Sequence, residues 1–317
     1  MKNRILPFRS RRTAAAMCLL ALCPLLSWQP AAARGIDRRA VVTRHNPEIR
    51  DRNLPGPTQV GNGEFAFGFD ISGLQTFSDN ANTMSNWGWY RFPLPEGQTP
   101  EEFRGAVWET QGRMVRYDIP NPEQKALCDW MVRNPQRINL GRVGLLLTKT
   151  GGGRVRLEEL GDPVQRLDLW SGIATSEYTV EGIPVRVTTV GHPELDAVAV
   201  RIESAKVGDG SAGLTLRFPF PTNVEFSDAA DWNSPGKHRT DVRSEAFRAS
   251  FHRTLGETVY DVHVAWDSPV RLRRMAPATA ATARLCPTTS AFSRSSRRAR
   301  RSRSFSPPRS AGTPLAL

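Results

Sequence analysis

Alternation between bulky apolar residues and small or polar residues is the main pattern in the central part of this chain. From Phe65 to Ile71 a large apolar side chain occupies every second position, which is the period of a β-strand with one buried face. Similar stretches recur after residue 142, with glycine-containing turns between them. We predict these further strands at residues 143–149, 154–160, 167–170, 174–180, 185–189, 198–202, 214–218 and 260–266. Short strands at this spacing are typical of an antiparallel sandwich.

The number of predicted strands indicates a large double sheet. About a dozen strands exceed what one small sandwich contains, so we predict a mainly β fold, a β-supersandwich, over residues 34–273.

Residues 72–120 show little periodicity and are predicted as long loops. One short helix is predicted after Asn121-Pro122, a cap followed by proline at the first helical position. It ends before Asn134-Pro135.

The first 33 residues have the order of an export signal. Basic residues precede an apolar run from Ala14 to Leu26, and the small residues Ala31-Ala32-Ala33 follow it. The run is shorter than the about 20 residues that span a membrane. We therefore predict a cleaved signal peptide at 1–33, a periplasmic or extracellular location and no membrane partner. An uncleaved N-terminal anchor is the alternative.

The positive charge of the chain is concentrated at its two ends. The net charge is +12, but residues 1–33 contain five basic residues and residues 274–317 contain nine, with no acidic residue in either segment. Residues 34–273 therefore have a net charge of −2. A nearly neutral body argues against nucleic acid as its partner.

Residues 274–317 are rich in Ala, Arg, Ser, Thr and Pro, and the alternating pattern stops there. This composition is typical of a shifted reading frame in GC-rich coding DNA, and we predict that the segment is a disordered tail. A genuine basic arm that binds nucleic acid or an anionic surface is the alternative.

The cysteines predict neither a disulfide framework nor a metal site. Cys18 and Cys23 lie in the predicted signal peptide, which leaves Cys128 and Cys286. A body of this size needs no disulfides, and no Cys/His cluster has the spacing of a zinc site. We therefore predict no metal and no cofactor.

Two neighbouring segments contain side chains suited to sugars. An asparagine and a glutamate stand among glycines before the first strand, and a further asparagine precedes two tryptophans. Amides and carboxylates hydrogen-bond to hydroxyl groups, and indole rings offer apolar faces that stack on sugar rings. The predicted oligosaccharide-binding residues are Asn62, Glu64, Gln75, Asn86, Trp87 and Trp89. Loop-shaping hydrogen bonds and packing against another domain are the alternatives.

Several segments, taken in order along the chain, carry a family resemblance. They are Arg38–Pro47, Val60–Phe69, Gly73–Phe77, Met84–Trp89, Asn139–Arg142, Gln165–Gly172 and His192–Val200. Together they resemble the N-terminal domain of bacterial six-hairpin glycosidases, the superfamily of the maltose and trehalose phosphorylases. The resemblance extends over residues 37–270.

The resemblance implies a β-supersandwich that packs on an (α/α)6 helical barrel, and the barrel carries the catalytic carboxylate. The implied partner is therefore a C-terminal catalytic domain that this chain lacks. Glycoside hydrolysis needs two carboxyl groups at the scissile bond. Glu64 is the best single candidate, and Asp228 and Asp231 beside Trp232 are the next, with an exposed polar loop as their alternative. No convincing acid/base pair emerges.

We therefore predict a non-catalytic domain of a secreted glycoside hydrolase, which helps to shape an oligosaccharide cleft. Two other classes remain open. A freestanding carbohydrate-binding module requires that the tail is genuine and that the tryptophan pair is exposed. A nucleic-acid-binding protein requires that the basic tail is translated and that the protein stays inside the cell, which the predicted signal contradicts.

Overall fold

The computed structural model describes residues 35–53, 56–208, 210–225, 227–267, 270–275 and 282–287. The predicted signal peptide and most of the predicted tail lie outside these residues. The chain divides into two compact units, residues 1–44 and residues 45–317. The described part of the first unit contains a short helix, α1 (Arg38–Thr43). Its N-cap is Asp37, whose Oδ1 accepts a hydrogen bond from the backbone N–H of Ala40 at 3.0 Å.

The second unit consists mainly of β-strands. They are β1 (Glu48–Ile49), β2 (Thr58–Gly61), β3 (Phe65–Phe69), β4 (Thr83–Ser85), β5 (Trp89–Tyr90), β6 (Ala106–Thr110), β7 (Arg113–Tyr117), β8 (Gln136–Arg137), β9 (Arg142–Leu147), β10 (Leu160–Asp168), β11 (Ile173–Val180), β12 (Ile183–Gly191), β13 (Val198–Glu203), β14 (Ala212–Arg217), β15 (Arg239–Ser244), β16 (Arg248–Leu255), β17 (Thr258–Ala265), β18 (Val270–Met275) and β19 (Thr282–Pro287). Its helices are α2 (Lys125–Val132) and α3 (Ala205–Gly208), with 3-10 turns at Pro100–Glu102, Leu157–Glu159 and Pro235–Lys237.

All the strand pairs in the described residues are antiparallel. The largest sheet has the order β1-β10-β11-β12-β13, and a second sheet has the order β18-β19-β14-β9. Three-stranded sheets contain β15-β16-β17 and β2-β3-β4. The hairpin β6-β7 and the long-range pair β5-β8 form two-stranded sheets. This architecture confirms the predicted mainly β, sandwich-like fold class.

The core lies between these sheets, and β3 runs through it. Phe65, Phe67 and Phe69 are buried, as their alternation predicts, and they belong to one apolar cluster with Val187 of β12 and Leu216 of β14. The small residues between the phenylalanines let neighbouring backbone approach. A Cβ on Gly68, for example, would lie 3.3 Å from the ring of Pro57. The strand is therefore packed on both faces.

The helix and most of the predicted strands are present, although the helix begins at Lys125, with Gln124 and not Asn121 as its N-cap. Strands β1, β2, β8, β15, β16 and β18 were not predicted. Residues 154–160 form a 3-10 turn with one bridge from Arg154 to Thr148 instead of a strand. Residues 72–120 contain the short strands β4 to β7 instead of loops alone. Strand β19 lies in the predicted tail and pairs with β14 and β18. Within the described residues, no helix is long and apolar enough to cross a membrane.

Candidate functional site

The structure brings five of the predicted sugar-binding residues, all except Gln75, to one edge of the sheet β2-β3-β4. A cavity of about 480 Å³, called the rim cleft here, lies between the β2–β3 turn and the end of β4. Its lining includes Glu64, Asn86 and Arg137. The two segments are joined directly, since the backbone N–H of Asn86 donates to the carbonyl of Glu64 at 2.9 Å. Trp87 and Trp89 follow on the same segment but do not line the rim cleft, and Trp87 lines a neighbouring cavity.

Asn62 builds the turn that presents Glu64. Its Oδ1 accepts hydrogen bonds from the backbone N–H groups of Glu64 at 3.0 Å and Phe65 at 2.8 Å. Its Nδ2 donates to the carbonyl of Leu195 at 3.1 Å. Gly63 has a φ of 95°, which favours glycine. Asn62 therefore shapes the loop, and the carboxylate of Glu64 is exposed at its tip.

Trp87 is held at its N–H end, and 48% of its surface is exposed. The Nε1 donates to Oδ2 of Asp196 at 2.6 Å, and the same oxygen accepts from Oγ of Ser85 at 2.6 Å. The ring lies against Tyr260, with 5.8 Å between ring centroids. These contacts fix the orientation of the indole and leave part of its surface to solvent.

Trp89 is anchored in the same way, with 39% of its surface exposed. Its Nε1 donates to the carbonyl of Asn86 at 2.8 Å. The guanidinium of Arg137 lies 4.0 Å from the ring centroid, a cation–π distance, and its Nη1 donates to the carbonyl of Ser85 at 2.7 Å. The pairing of Trp89 with Arg137 across β5 and β8 produces this stack.

Gln75 is separated from the rim cleft because it lies inside the fold with 5% of its surface exposed. Its Nε2 donates to the carbonyl of Gly68 at 2.9 Å and to Oγ1 of Thr83 at 3.1 Å. Its Oε1 accepts from the backbone N–H of Val143 at 2.9 Å. The amide is occupied by the protein, so Gln75 is a scaffold residue in this structure.

Asp196 and Arg137 are functional candidates that the sequence pattern did not single out. Asp196 is half-buried in the turn between β12 and β13. His192 shapes that turn, since its Nδ1 accepts from the backbone N–H groups of Glu194 at 3.1 Å and Leu195 at 3.0 Å. The turn lies more than a hundred residues from Trp87 along the chain. In the sequence, only the dipeptide His192-Pro193 indicates this turn.

A second, smaller cavity leads from Trp87 and Asp196 towards the core. It has a volume of about 150 Å³ and is lined mainly by apolar residues, together with Tyr260 and Asp261. The hydroxyl of Tyr260 donates to the carbonyl of Leu140 at 3.0 Å. Burial raises the pKa of Tyr260, so its hydroxyl stays protonated at neutral pH. The cavity therefore provides an apolar surface beside the Trp87 ring.

The other candidate carboxylates lie away from the rim cleft. Asp228 accepts from Nη2 of Arg142 at 2.7 Å, and burial raises its pKa although Arg142 opposes the shift. Asp231 exchanges two backbone hydrogen bonds with Phe220. Neither lines the rim cleft. In the part of the chain that the structure describes, no group of three or more His, Cys, Asp or Glu side chains could hold a metal ion.

Neither a protein-family model nor a curated protein matches this chain.

Proposed function

We propose that this protein binds an oligosaccharide through the rim cleft, as the non-catalytic N-terminal domain of a secreted glycoside hydrolase. The observation that supports this best is the pair of partly exposed indoles, each fixed by a hydrogen bond from its Nε1. They stand beside the exposed polar side chains of Glu64 and Asn86. Aromatic faces next to free hydrogen-bonding groups are the chemistry that recognises sugars.

Preorganisation strengthens the proposal. The indoles of Trp87 and Trp89 are held by Asp196, Tyr260 and Arg137, so little side-chain freedom remains to be lost when a ligand binds. The carboxylate of Glu64 has no hydrogen-bond or ion-pair partner among the described residues, which leaves its oxygens available to sugar hydroxyls. The side chain of Asn86 has one long contact, with Oγ of Ser85 at 3.5 Å.

The proposal assigns no bond cleavage to this chain. Glu64 is the one carboxylate among the residues that line the rim cleft in the described structure, whereas hydrolysis requires a pair. In the proposed enzyme the carboxylates come from a catalytic helical barrel, and this domain supplies one wall of the substrate cleft. Export through the N-terminal signal is part of the same proposal.

Calorimetric titration of the full chain with linear oligosaccharides of different linkage tests the proposal. Trp87→Ala and Trp89→Ala should each weaken binding about tenfold or more, since each removes a stacking face. Trp170→Ala is the matched control, because Trp170 is also 50% exposed but lies in the β10–β11 turn. If the wild-type protein binds none of the sugars, or if all three variants bind equally, the proposal fails.

A freestanding carbohydrate-binding module is the second candidate, since both tryptophans are exposed. It shares the binding residues but needs no catalytic partner. If the isolated chain binds the oligosaccharide as tightly as it does with a six-hairpin catalytic barrel added, the result supports the module. Affinity that increases when a six-hairpin catalytic barrel is added in trans supports the glycosidase domain.

A further inference from the structure

A second polar cavity lies on the outer side of the β9–β14 pair. Three arginines line it, and we call it the arginine pocket: Arg142, Arg154 and Arg217, together with Ser78, Asp79 and Thr215. Its volume is about 130 Å³. None of these residues lines the rim cleft, although Arg142 also lines the smaller cavity beside Trp87. The proposed sugar site leaves Arg154 and Arg217 unexplained.

Arg142 forms the inner wall of the pocket and is already paired with acids. Only 4% of its surface is exposed. Its Nη1 lies 3.2 Å from Oδ1 of Asp79, and its Nη2 lies 2.7 Å from Oδ2 of Asp228 and also donates to the carbonyl of Asp79. Its buried Nε nevertheless has no partner in the described structure. A buried donor without an acceptor is costly.

Arg154 and Arg217 differ from Arg142, because neither side chain has a hydrogen bond or a carboxylate partner among the described residues. The guanidinium of Arg217 lies 4.2 Å from the centroid of the Trp232 ring. The residue as a whole is exposed, but this packing removes water from its charged end. Desolvation and the charges of Arg142 and Arg154 lower the pKa of Arg217, while Asp79 raises it. Because arginine stays protonated in proteins, two positive charges without an ion pair in the described residues face one pocket.

We propose that the arginine pocket binds a phosphate group, either as inorganic phosphate or as a phosphate monoester. Guanidinium groups bind tetrahedral oxyanions through paired N–H donors. The three arginines together with Asp79 and Asp228, the two acids that pair with Arg142, have a net charge of +1, which attracts an anion. The volume corresponds to about four water molecules at ~30 Å³ each, which is enough for a group of five heavy atoms.

Ser78 and Asp79 also line the arginine pocket, and they affect anion binding in opposite ways. The hydroxyl of Ser78 accepts from the backbone N–H of Asn80 at 3.2 Å, and its own proton is free to donate to an anion. The carboxylate of Asp79 opposes an anion, but its pairing with Arg142 reduces that repulsion. The attraction therefore comes from Arg154 and Arg217, and both are needed.

Titration of the full chain with inorganic phosphate, at constant ionic strength set with chloride, tests this site. We expect one saturable site, followed by calorimetry and by the phosphorus NMR signal. The double variant Arg154→Gln/Arg217→Gln should bind about a hundredfold more weakly, because each arginine contributes a charge-assisted contact worth roughly tenfold. Arg113→Gln/Arg243→Gln is the control: it removes the same charge from exposed positions on β7 and β15 and should bind like the wild type.

The source of the phosphate is decided by a competition arm with a hexose 6-phosphate. Displacement of inorganic phosphate at a lower concentration identifies a phosphate monoester, and failure to displace it identifies the free anion. No saturable binding, or equal binding by both double variants, would overturn the proposal. If circular dichroism shows that the double variant is unfolded, Arg154→Gln alone replaces it, since that exposed side chain makes no packing contact with the core cluster. Sugar binding at the rim cleft is independent of every outcome.

Discussion

Gln75 and Asn86 carry the same carboxamide group in two adjacent regions, but the fold uses them differently. Gln75 lies in the interior polar region beneath the β2-β3-β4 sheet, and its amide is bonded to Gly68, Thr83 and Val143. Asn86 lies on the rim, exposed, with one long side-chain contact. Residue type alone does not separate a scaffold group from a binding group. The two kinds of group are separated by the number of hydrogen bonds that each already makes within the protein.

The interior polar region is organised by one carboxylate. Oδ2 of Asp70 accepts from the backbone N–H groups of Thr76 at 2.8 Å, Phe77 at 2.6 Å and Ser78 at 3.0 Å, while Oδ1 accepts from that of Ser72 at 2.9 Å. These bonds satisfy backbone groups of a loop that bonds to β9 through the backbone N–H of Gln75, which donates to the carbonyl of Val143 at 2.8 Å. The interior region therefore fixes the backbone from which the rim projects.

The strongest test of the comparison is Gln75→Ala. The substitution leaves the backbone N–H of Val143 and the carbonyl of Gly68 without their side-chain partner in the buried interior. We expect it to lower the free energy of unfolding by about 2–4 kcal/mol, measured by urea denaturation. Oligosaccharide affinity, measured well below the transition, should remain unchanged.

Gln59→Ala provides the matched control for that experiment. Gln59 is an exposed amide on β2, and its removal should change the unfolding free energy by less than about 0.5 kcal/mol. Equal destabilisation by the two variants would contradict the assignment of Gln75 to the scaffold.

The alternating pattern predicts the strands that have one apolar face. Phe65, Phe67 and Phe69 of β3 are buried as expected, and so are Val185 and Val187 of β12. The pattern predicts these strands because every second residue is apolar and faces the core.

Several strands that the pattern misses are polar or short. β16 is long and buries every second side chain, but one of these is the charged Arg253. β15 contains Arg239, Asp241 and Arg243, and most of its side chains are exposed. It is a strand because it pairs with β16 along its whole length, which is a tertiary cause. Residues 154–160 show the opposite case. Glu159 bonds to the backbone N–H of Arg156 at 2.8 Å and stabilises a turn where the pattern predicted a strand.

The site was predictable only in part for the same reason. The glycine-flanked turn and the two tryptophans are contiguous in sequence, so their residue types suggested them. Asp196 and Arg137 reach them through strand pairing and a distant turn, and no local spacing encodes those contacts. Gln75 shares the residue type of a binding group, and its burial follows from packing alone.

The pH dependence of the unfolding free energy tests the effect of a buried charge, that of Arg253, on its neighbour His238. Arg253 is fully buried, and its Nη1 lies 2.8 Å from Nδ1 of His238, which therefore accepts the hydrogen bond. Burial and the charge of Arg253 lower the pKa of His238 from 6.5 to about 4, although Asp231 opposes the shift. The stability that His238 contributes is therefore present above pH 6.5, where the unfolded state is also neutral, and is lost as the pH falls towards 4.

Urea denaturation at several pH values measures this effect. We expect His238 to account for about 1–2 kcal/mol of lost stability between pH 6.5 and 4, because water screens a half-exposed ring. His238→Asn, whose side chain retains an acceptor but does not titrate, should reduce the decrease by that amount. His263→Asn, at an exposed position on β17, should keep it. The same decrease in both variants would show that other groups cause it.

The smallest expected effect on stability, and the sharpest test of the rim, is Asn86→Ala. Alanine keeps the backbone N–H that donates to Glu64 and the carbonyl that accepts from Trp89, so both anchors of the segment remain. The unfolding free energy should change by less than about 0.5 kcal/mol. Oligosaccharide affinity should fall about three- to tenfold, the value of one hydrogen bond to a sugar hydroxyl. If Asn86→Ala instead destabilises the fold as much as Gln75→Ala and leaves sugar binding intact, Asn86 is a scaffold residue too, and counting existing partners does not distinguish the two regions.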